Sequence, residues 1–261
     1  MNTPHDFKVE AVVLRKTRLK EADRILTLYT LEYGKIQAVA KSISKSKSKL
    51  AGHSETLTHT AINLSHGRGS LPTITGSQTI NTFLPLRNSL ELTSYGLYYA
   101  ELVNQFNEEN EPHPAVFQLL IECLDYLGNE PGPEFISRYF ELKLLNELGF
   151  RPELRCCAAC GASLAPSELK LSPKVGGVVC PSCMLRFSFN LPVSINCLKA
   201  LRFIQENDFT SATRLKLSGA VNHEAASILR NYISYLLEKE IKSAQWLDHI
   251  KRNDTLLQAN P

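Results

Sequence analysis

Residues 24–41, Arg24-Ile-Leu-Thr-Leu-Tyr-Thr-Leu-Glu-Tyr-Gly-Lys-Ile-Gln-Ala-Val-Ala-Lys41, decide the reading of the first third of the chain. Ile36, Ala38 and Ala40 alternate with Lys35, Gln37, Val39 and Lys41, the period of two expected of a strand with one buried face. Upstream, Leu26 and Leu28 share one face, and Ile25, Thr27 and Tyr29 the other. Glu32-Tyr33-Gly34-Lys35 is the turn between the two runs, with Gly34 giving the backbone freedom. Outward from this hairpin, Lys8–Lys16 is dense in valine. His59–Ser65 and Leu71–Ile80 form a second hairpin through Gly67-Arg68-Gly69. Five short strands in about 80 residues predict a small closed or nearly closed barrel, and the five-stranded OB-fold is the natural candidate.

Helices follow Pro85. Glu91–Phe106 carries Tyr95, Tyr98, Leu102 and Phe106 at helical spacing, and Ala115–Leu127 carries Val116, Leu119, Leu120, Cys123, Leu124 and Leu127. A third helix opens at Pro133, runs through Phe135, Tyr139, Leu142, Leu145 and Leu148, and stops at Gly149. These aromatic residues keep the helical period and read as core. Ser194 caps a short helix with Leu198, Leu201 and Ile204. A longer helix, capped near Asn222, is predicted to run through Tyr232 and Leu237 to Ile241. The last ten residues read as a loose tail. The fold class is α+β, divided as a barrel over 1–84, a helical domain over 85–150 completed by 194–250, an inserted module over 151–193, and a flexible tail over 251–261.

That module holds Cys157-Ala-Ala-Cys160 and Cys180-Pro-Ser-Cys183, with nineteen residues between the pairs. Two C-x2-C knuckles at this separation fit a zinc site, with Zn–S bonds of about 2.3 Å. Gly161 and Gly176-Gly177 supply the tight turns. Four thiolates leave no open position for water, so the implied cofactor is one structural zinc ion. Cys156 offers a looser Cys-x3-Cys knuckle in place of Cys157. A redox pair needs a βαβ setting that is absent here. Cys123 reads as a core thiol, and Cys197 lies near a helix start; neither carries a functional reading.

The chain has 261 residues, 43 % hydrophobic and 21 % charged, as expected of a globular protein of one to three domains. No apolar run approaches the roughly 18 residues of a membrane helix, and Met1–Phe7 lacks a signal pattern. A reducing, intracellular setting is the expectation. The net charge of +3 hides an uneven distribution. Residues 1–84 carry twelve Lys/Arg against six Asp/Glu, and residues 85–150 carry three against eleven. A basic head and an acidic middle point to separate surfaces for separate partners.

Between the third and fourth strands lies Ser42-Ile-Ser-Lys45-Ser-Lys47-Ser-Lys49, preceded by Lys41. It reads either as a soluble linker or as a phosphate-tracking arm beside a basic barrel face. Arg15, Arg24, Lys35, Lys41 and Arg68 extend that face, with Tyr29 and Tyr33 its few aromatic residues. Recognition by phosphate charge predicts little sequence preference and strong salt dependence. No P-loop, Gly-x-Ser-x-Gly or His-Glu-x-x-His motif occurs, so no enzyme is expected. Glu108, Glu109 and Glu111 read as a solvated loop rather than a magnesium site.

Several stretches in order resemble the RecO family of bacterial recombination mediators. They are Glu10-Ala-Val-Val-Leu-Arg15, Glu21-Ala-Asp-Arg24-Ile-Leu-Thr-Leu28, Tyr33-Gly-Lys-Ile36 with Ala38-Val-Ala-Lys41, and Gly67-Arg-Gly-Ser-Leu71. Phe140-Glu-Leu-Lys-Leu-Leu-Asn-Glu-Leu-Gly-Phe-Arg-Pro152 runs on into the cysteine knuckles, and Arg230-Asn-Tyr-Ile233 with Lys242-Ser243 resembles the closing helix. The resemblance implies an OB-fold, a helical domain and a zinc module. It also implies binding of single- and double-stranded DNA, annealing of strands coated with the single-stranded DNA-binding protein SSB, and action with RecR in loading RecA, without nucleotide. Expected partners are therefore DNA, the SSB C-terminal tail and RecR, in the bacterial cytoplasm at the nucleoid, with neither membrane nor small-molecule substrate. Family DNA contacts map onto Arg15, Arg24, Lys35, Lys41 and Arg68, with Lys45, Lys47 and Lys49 on the arm, where relatives tend to carry arginine. The tail calls for an apolar pocket with a cation at its rim; Arg138 and Lys143 are the late-helix cations, and the pocket is not assigned. The competing reading is a zinc-ribbon scaffold for protein assembly with incidental DNA contact.

Overall fold

A computed structural model describes residues 5–43, 54–67, 69–129, 131–165, 168–188 and 190–258. The chain forms two compact units, residues 1–128 with 241–261, and residues 129–240. In the first, β1 (Asp6–Arg18), β2 (Arg24–Thr30), β3 (Gly34–Ala40), β4 (His59–Ser65) and β5 (Thr73–Asn81) form a sheet of order β1-β2-β3-β5-β4 that closes on itself. The neighbours run antiparallel except β3 and β5, which meet in parallel at Val39 and Thr73. The alternation seen in sequence is the burial pattern of the sheet. Leu26, Leu28, Ile36, Ala38 and Ala40 join Val9, Ala11, Val13, Ile62, Leu64 and Ile74 in one core. Each fully buried Val, Leu or Ile among them contributes about 1.5–3 kcal/mol, and each Ala about 0.8 kcal/mol.

The outer side departs from the expected basic face. Tyr29 is fully buried there, its hydroxyl donating to Asn107 Oδ1 at 2.9 Å and its ring tilted against Phe117. Burial pushes its phenol above the ordinary range. Tyr33 packs edge-on to Phe7 at 5.4 Å against the sheet core. Neither tyrosine is an open stacking platform: helical residues cover Tyr29, where period two alone assigns a solvated face, and Tyr33 is taken up by Phe7. The helices that follow the sheet are α1 (Leu84–Arg87), α2 (Leu90–Phe106) and α3 (Pro114–Tyr126). Ser89 caps α2 by accepting from Leu92 N–H, and Tyr95, Tyr98, Tyr99, Leu102 and Val103 are buried along it.

The segment after α2 is fastened to the end of β3. Asn110 N–H donates to the Lys35 carbonyl at 2.9 Å, and Gln37 Nε2 reaches the Glu109 carboxylate at 2.7 Å. Gly34 is held at φ +64°, where a Cβ would collide with the Glu111 carbonyl. Glycine is therefore required twice, for its conformation and for the close approach.

The second unit begins with α4 (Pro133–Glu147) and continues through α5 (Pro181–Met184), α6 (Ile195–Glu206), α7 (Phe209–Ala212) and α8 (Gly219–Leu237). A small sheet of order β7-β6-β8 joins them, built from β6 (Leu169–Ser172), β7 (Gly177–Val179) and β8 (Leu191–Val193). Helix α8 starts earlier than expected: Ser218, not Asn222, accepts from Val221 N–H as the cap. It also ends earlier, at Glu238 in the left-handed region (φ 52°), so Ile241 belongs to the next segment.

That segment, α9 (Lys242–Gln258), replaces the loose tail expected at the C-terminus. Ala244, Leu247 and Ile250 are buried at helical spacing, and α9 packs on α2. Glu101 of α2 caps it, accepting from the N–H groups of Lys242 and Ser243 and from the Ser243 hydroxyl. A carboxylate at this end also complements the helix dipole.

Gly34→Ala should destabilise the protein by about 2 kcal/mol or more, because it adds a clash to an unfavourable φ. Gly149→Ala, also at positive φ but facing open space, should cost only about 1 kcal/mol. Urea unfolding of the two variants measures the difference.

Candidate metal centre and nucleic-acid surface

The first cysteine knuckle hangs on the small sheet. Glu153 pairs with Gly177, through Glu153 N–H to the Gly176 carbonyl and Val178 N–H to the Glu153 carbonyl, both 2.8 Å. Ala158 N–H then donates to the Val178 carbonyl, and Gly161, at φ +73°, closes the turn by donating to the Cys157 carbonyl at 2.8 Å. The second knuckle enters from β7 into α5, where Cys183 N–H returns to the Cys180 carbonyl at 3.0 Å. The Sγ atoms of Cys157, Cys160, Cys180 and Cys183 all lie within 4.8 Å of one another.

The separation suits coordination. A tetrahedron with metal–sulfur bonds of about 2.3 Å has edges of about 3.8 Å, whereas a disulfide needs about 2.05 Å. Cys160 and Cys180 stand at 3.8 Å. The donor set thus fits a metal ion held by four thiolates. Cys156 lies outside the cluster; its N–H donates to the Glu153 carboxylate at 3.2 Å, and it pairs with Ser163. Cys157, the expected ligand, is the one inside.

The thiols are unequal. Burial by itself pushes the Cys157 thiol up, but the N–H groups of Cys180, Ala159 and Cys160 and the Cys160 thiol outweigh it, bringing it down to about 6. Hydrogen bonding to Cys160 and then burial push Cys183 up to about 12. Cys157 is the ready thiolate, and a cation must displace the proton of Cys183. Met184, Val179, Leu164, Val175 and Phe187 pack around the knuckles.

The cations expected to meet DNA are placed differently from one another. Arg15 and Lys41 are exposed. The Arg24 guanidinium donates to the carbonyls of Lys20, Glu21 and Asp23 at 3.0–3.2 Å, clamping the β1–β2 turn. Lys35 Nζ donates to the Asn104 carbonyl at 2.8 Å and is half-buried, at the opposite end of β3 from Lys41. Lys45, Lys47, Lys49 and Arg68 lie outside the described residues. The turn carrying Arg68 leaves β4 at Ser65 and enters β5 at Thr73, which pairs with Val39.

Two exposed cations, Arg18 and Lys20, were not anticipated. β1 runs two residues beyond its expected end, so both stand at the β1–β2 turn, with Arg18 opposite Arg24 and Arg24 opposite Ala40. Withdrawing Arg24 onto carbonyls keeps like charges apart. The alternation Lys16, Arg18, Lys20 was the available signal, although Lys16 is paired with Glu55 at 2.6 Å. Ser42 N–H donates to Asp23 at 2.7 Å and ties the end of β3 to the same turn. Arg18, Lys20 and Lys41 are thus gathered at one end of the sheet, from which residues 44–53 continue.

Neither cation considered for a tail pocket is free. Arg138 is buried in a bidentate pair with Glu141, both bonds 2.6 Å, and Lys143 Nζ donates to the Gln205 carbonyl at 3.0 Å. Among the described residues, no helix is long and apolar enough to cross a membrane.

Comparison with known proteins gives a consistent result. The family described as "Recombination protein O N terminal" matches residues 1–83, and that described as "Recombination protein O C terminal" matches residues 87–245. The chain is 46 % identical to the DNA repair protein RecO of Dehalococcoides mccartyi (strain CBDB1), over 97 % of this chain and 100 % of that protein. It is 36 % identical to that of Roseiflexus sp. (strain RS-1), over 94 % and 86 % of the two chains. For Symbiobacterium thermophilum the identity is 32 %, over 94 % and 98 %.

Cys180→Ser should lose the bound metal and lower the melting temperature by on the order of 10 °C, whereas Cys156→Ser should keep one metal equivalent. Metal analysis after gel filtration, with a thermal melt, checks both. Metal retention against a chelator should fall as the pH is lowered, because protons compete with the metal for all four sulfurs.

Proposed function

The chain belongs to the RecO family of DNA repair proteins, and from that premise we propose that it works by binding and pairing DNA strands, without covalent chemistry. The closed five-stranded sheet is read as an OB-fold barrel, a scaffold that carries nucleic acid along one face and its loops. The observation carrying this reading is the cluster of Arg18, Lys20 and Lys41 at one end of that sheet, which leads directly into the lysine-bearing segment 44–53. Arg15, Lys45, Lys47, Lys49 and Arg68 complete the proposed phosphate-binding set. Arg24 and Lys35, engaged with carbonyls, serve chiefly to shape it.

Two single strands repel each other through their phosphates. A cationic surface that neutralises both removes the repulsion, and counterion release supplies most of the affinity. Holding both on one molecule makes their encounter effectively intramolecular, so pairing accelerates at low strand concentration. Annealing of SSB-coated strands, contact with the SSB tail, and cooperation with RecR in loading RecA fit this scheme. The four thiolates are proposed to hold one structural zinc ion, whose chemistry is to crosslink the two knuckles. The competing scaffold reading predicts that removing the cations leaves function intact.

The test is annealing of complementary oligonucleotides precoated with the cognate SSB, without nucleotide, at low and moderate salt. Fast annealing that falls with salt is expected. Replacing Arg15, Arg18 and Lys41 together by Ala should reduce the log–log salt slope of single-strand binding by about 2. Absence of annealing by folded, metal-loaded protein would sink the proposal.

A further inference from the structure

The chain has one tryptophan, Trp246, and it stands 48 % exposed on α9. The face of α9 opposite Ala244, Leu247 and Ile250 carries Lys242, Gln245, Trp246, His249 and Arg252, all exposed. Their spacing of three and four residues puts them in one stripe; none is acidic, while half-buried Asp248 borders it one turn before Arg252 and Glu101 accepts from the Lys242 N–H at its start. The His249 imidazole stacks on the indole, with ring centres 6.1 Å apart and 29° between planes. This contact fixes the ring's attitude in advance, lowering the entropy lost when a flat ligand settles on it. Lys242 and Arg252 flank the pair, roughly 15 Å apart along the helix.

A lone exposed aromatic residue carries no message. A pre-oriented indole between two cations has the chemistry of a single-strand platform: a π-face for a base and charge for the phosphates on either side. The first unit has a need for one, since Tyr29 and Tyr33 are both taken up in packing. We propose that this face of α9 binds single-stranded DNA, with an unpaired base stacked on Trp246 and neighbouring phosphates on Lys242 and Arg252. The inference rests on the DNA-binding reading above and extends it to a separate element. A duplex hides the faces of its bases, so the platform holds strands before pairing and loses its grip once they have paired.

Tryptophan emission of the full-length protein reports Trp246 alone. It is titrated with oligothymidylate at low salt, while a dye on the oligonucleotide reports total binding by anisotropy. Emission should change in step with anisotropy. Trp246→Ala should weaken single-strand binding about 5- to 100-fold, Trp246→Phe should retain most of it, and duplex binding should change by about twofold or less in both. Rising anisotropy with unchanged emission overturns this inference and leaves the DNA-binding reading standing. No anisotropy change overturns both. Equal losses of single-strand and duplex affinity also overturn it, as does an emission change that only a protein partner produces. A circular dichroism melt verifies folding. Should Trp246→Ala prove unfolded, Lys242→Glu with Arg252→Glu carries the same expectation for single strands.

Discussion

Residue 34 can have no side chain, because the carbonyl of Glu111 occupies the space where a Cβ would stand, and the rest of the first unit depends on that contact. It allows the segment after α2 to lie against the end of β3, where Lys35, Gln37 and Tyr29 find their partners at Asn104, Glu109 and Asn107. With that end of α2 fixed to the sheet, its other buried face is available to α9, and Glu101 on α2 supplies the carboxylate that starts α9. A glycine chosen for a hairpin turn thus also sets where the helices go.

The parts legible in the sequence are those governed by local rules. The period of two in residues 35–41 gave the inward face of β3 correctly, and the bounds of β2 and β4 coincide with the expected runs. Ser194 caps α6 as read, and the four cysteines picked out by spacing are the four whose sulfurs the fold brings together. The parts missed depend on what packs from elsewhere. Tyr29 alternates as an outward residue and is outward from the sheet core, yet a helical segment about 80 residues later covers it. The cap of α8 is expected near Asn222, but it lies one turn earlier at Ser218. Residues 251–258 are polar and read as part of a tail, yet they continue α9, whose buried Ala244, Leu247 and Ile250 lie in the helix that packs on α2.

The basic surface shows the same division between count and placement. A tally of cations marks the N-terminal third as basic, and the structure shows that they do different work. Arg24 and Lys35 satisfy carbonyl oxygens, Lys16 is paired with Glu55, and Arg15, Arg18, Lys20 and Lys41 face solvent. Charge that holds a turn together is what lets the neighbouring charge be presented at a fixed place.

The chain leaves the first unit at Gly128 and returns to it at Ile241, so docking of α9 on α2 closes a loop of roughly 110 residues. For a flexible loop of that length, closure costs about 4 kcal/mol in chain entropy. A folded second unit fixes the separation of its own ends and removes most of that cost. The two units are thereby thermodynamically linked through the chain itself: whatever loosens the second unit must also raise the free energy of seating α9 on the first.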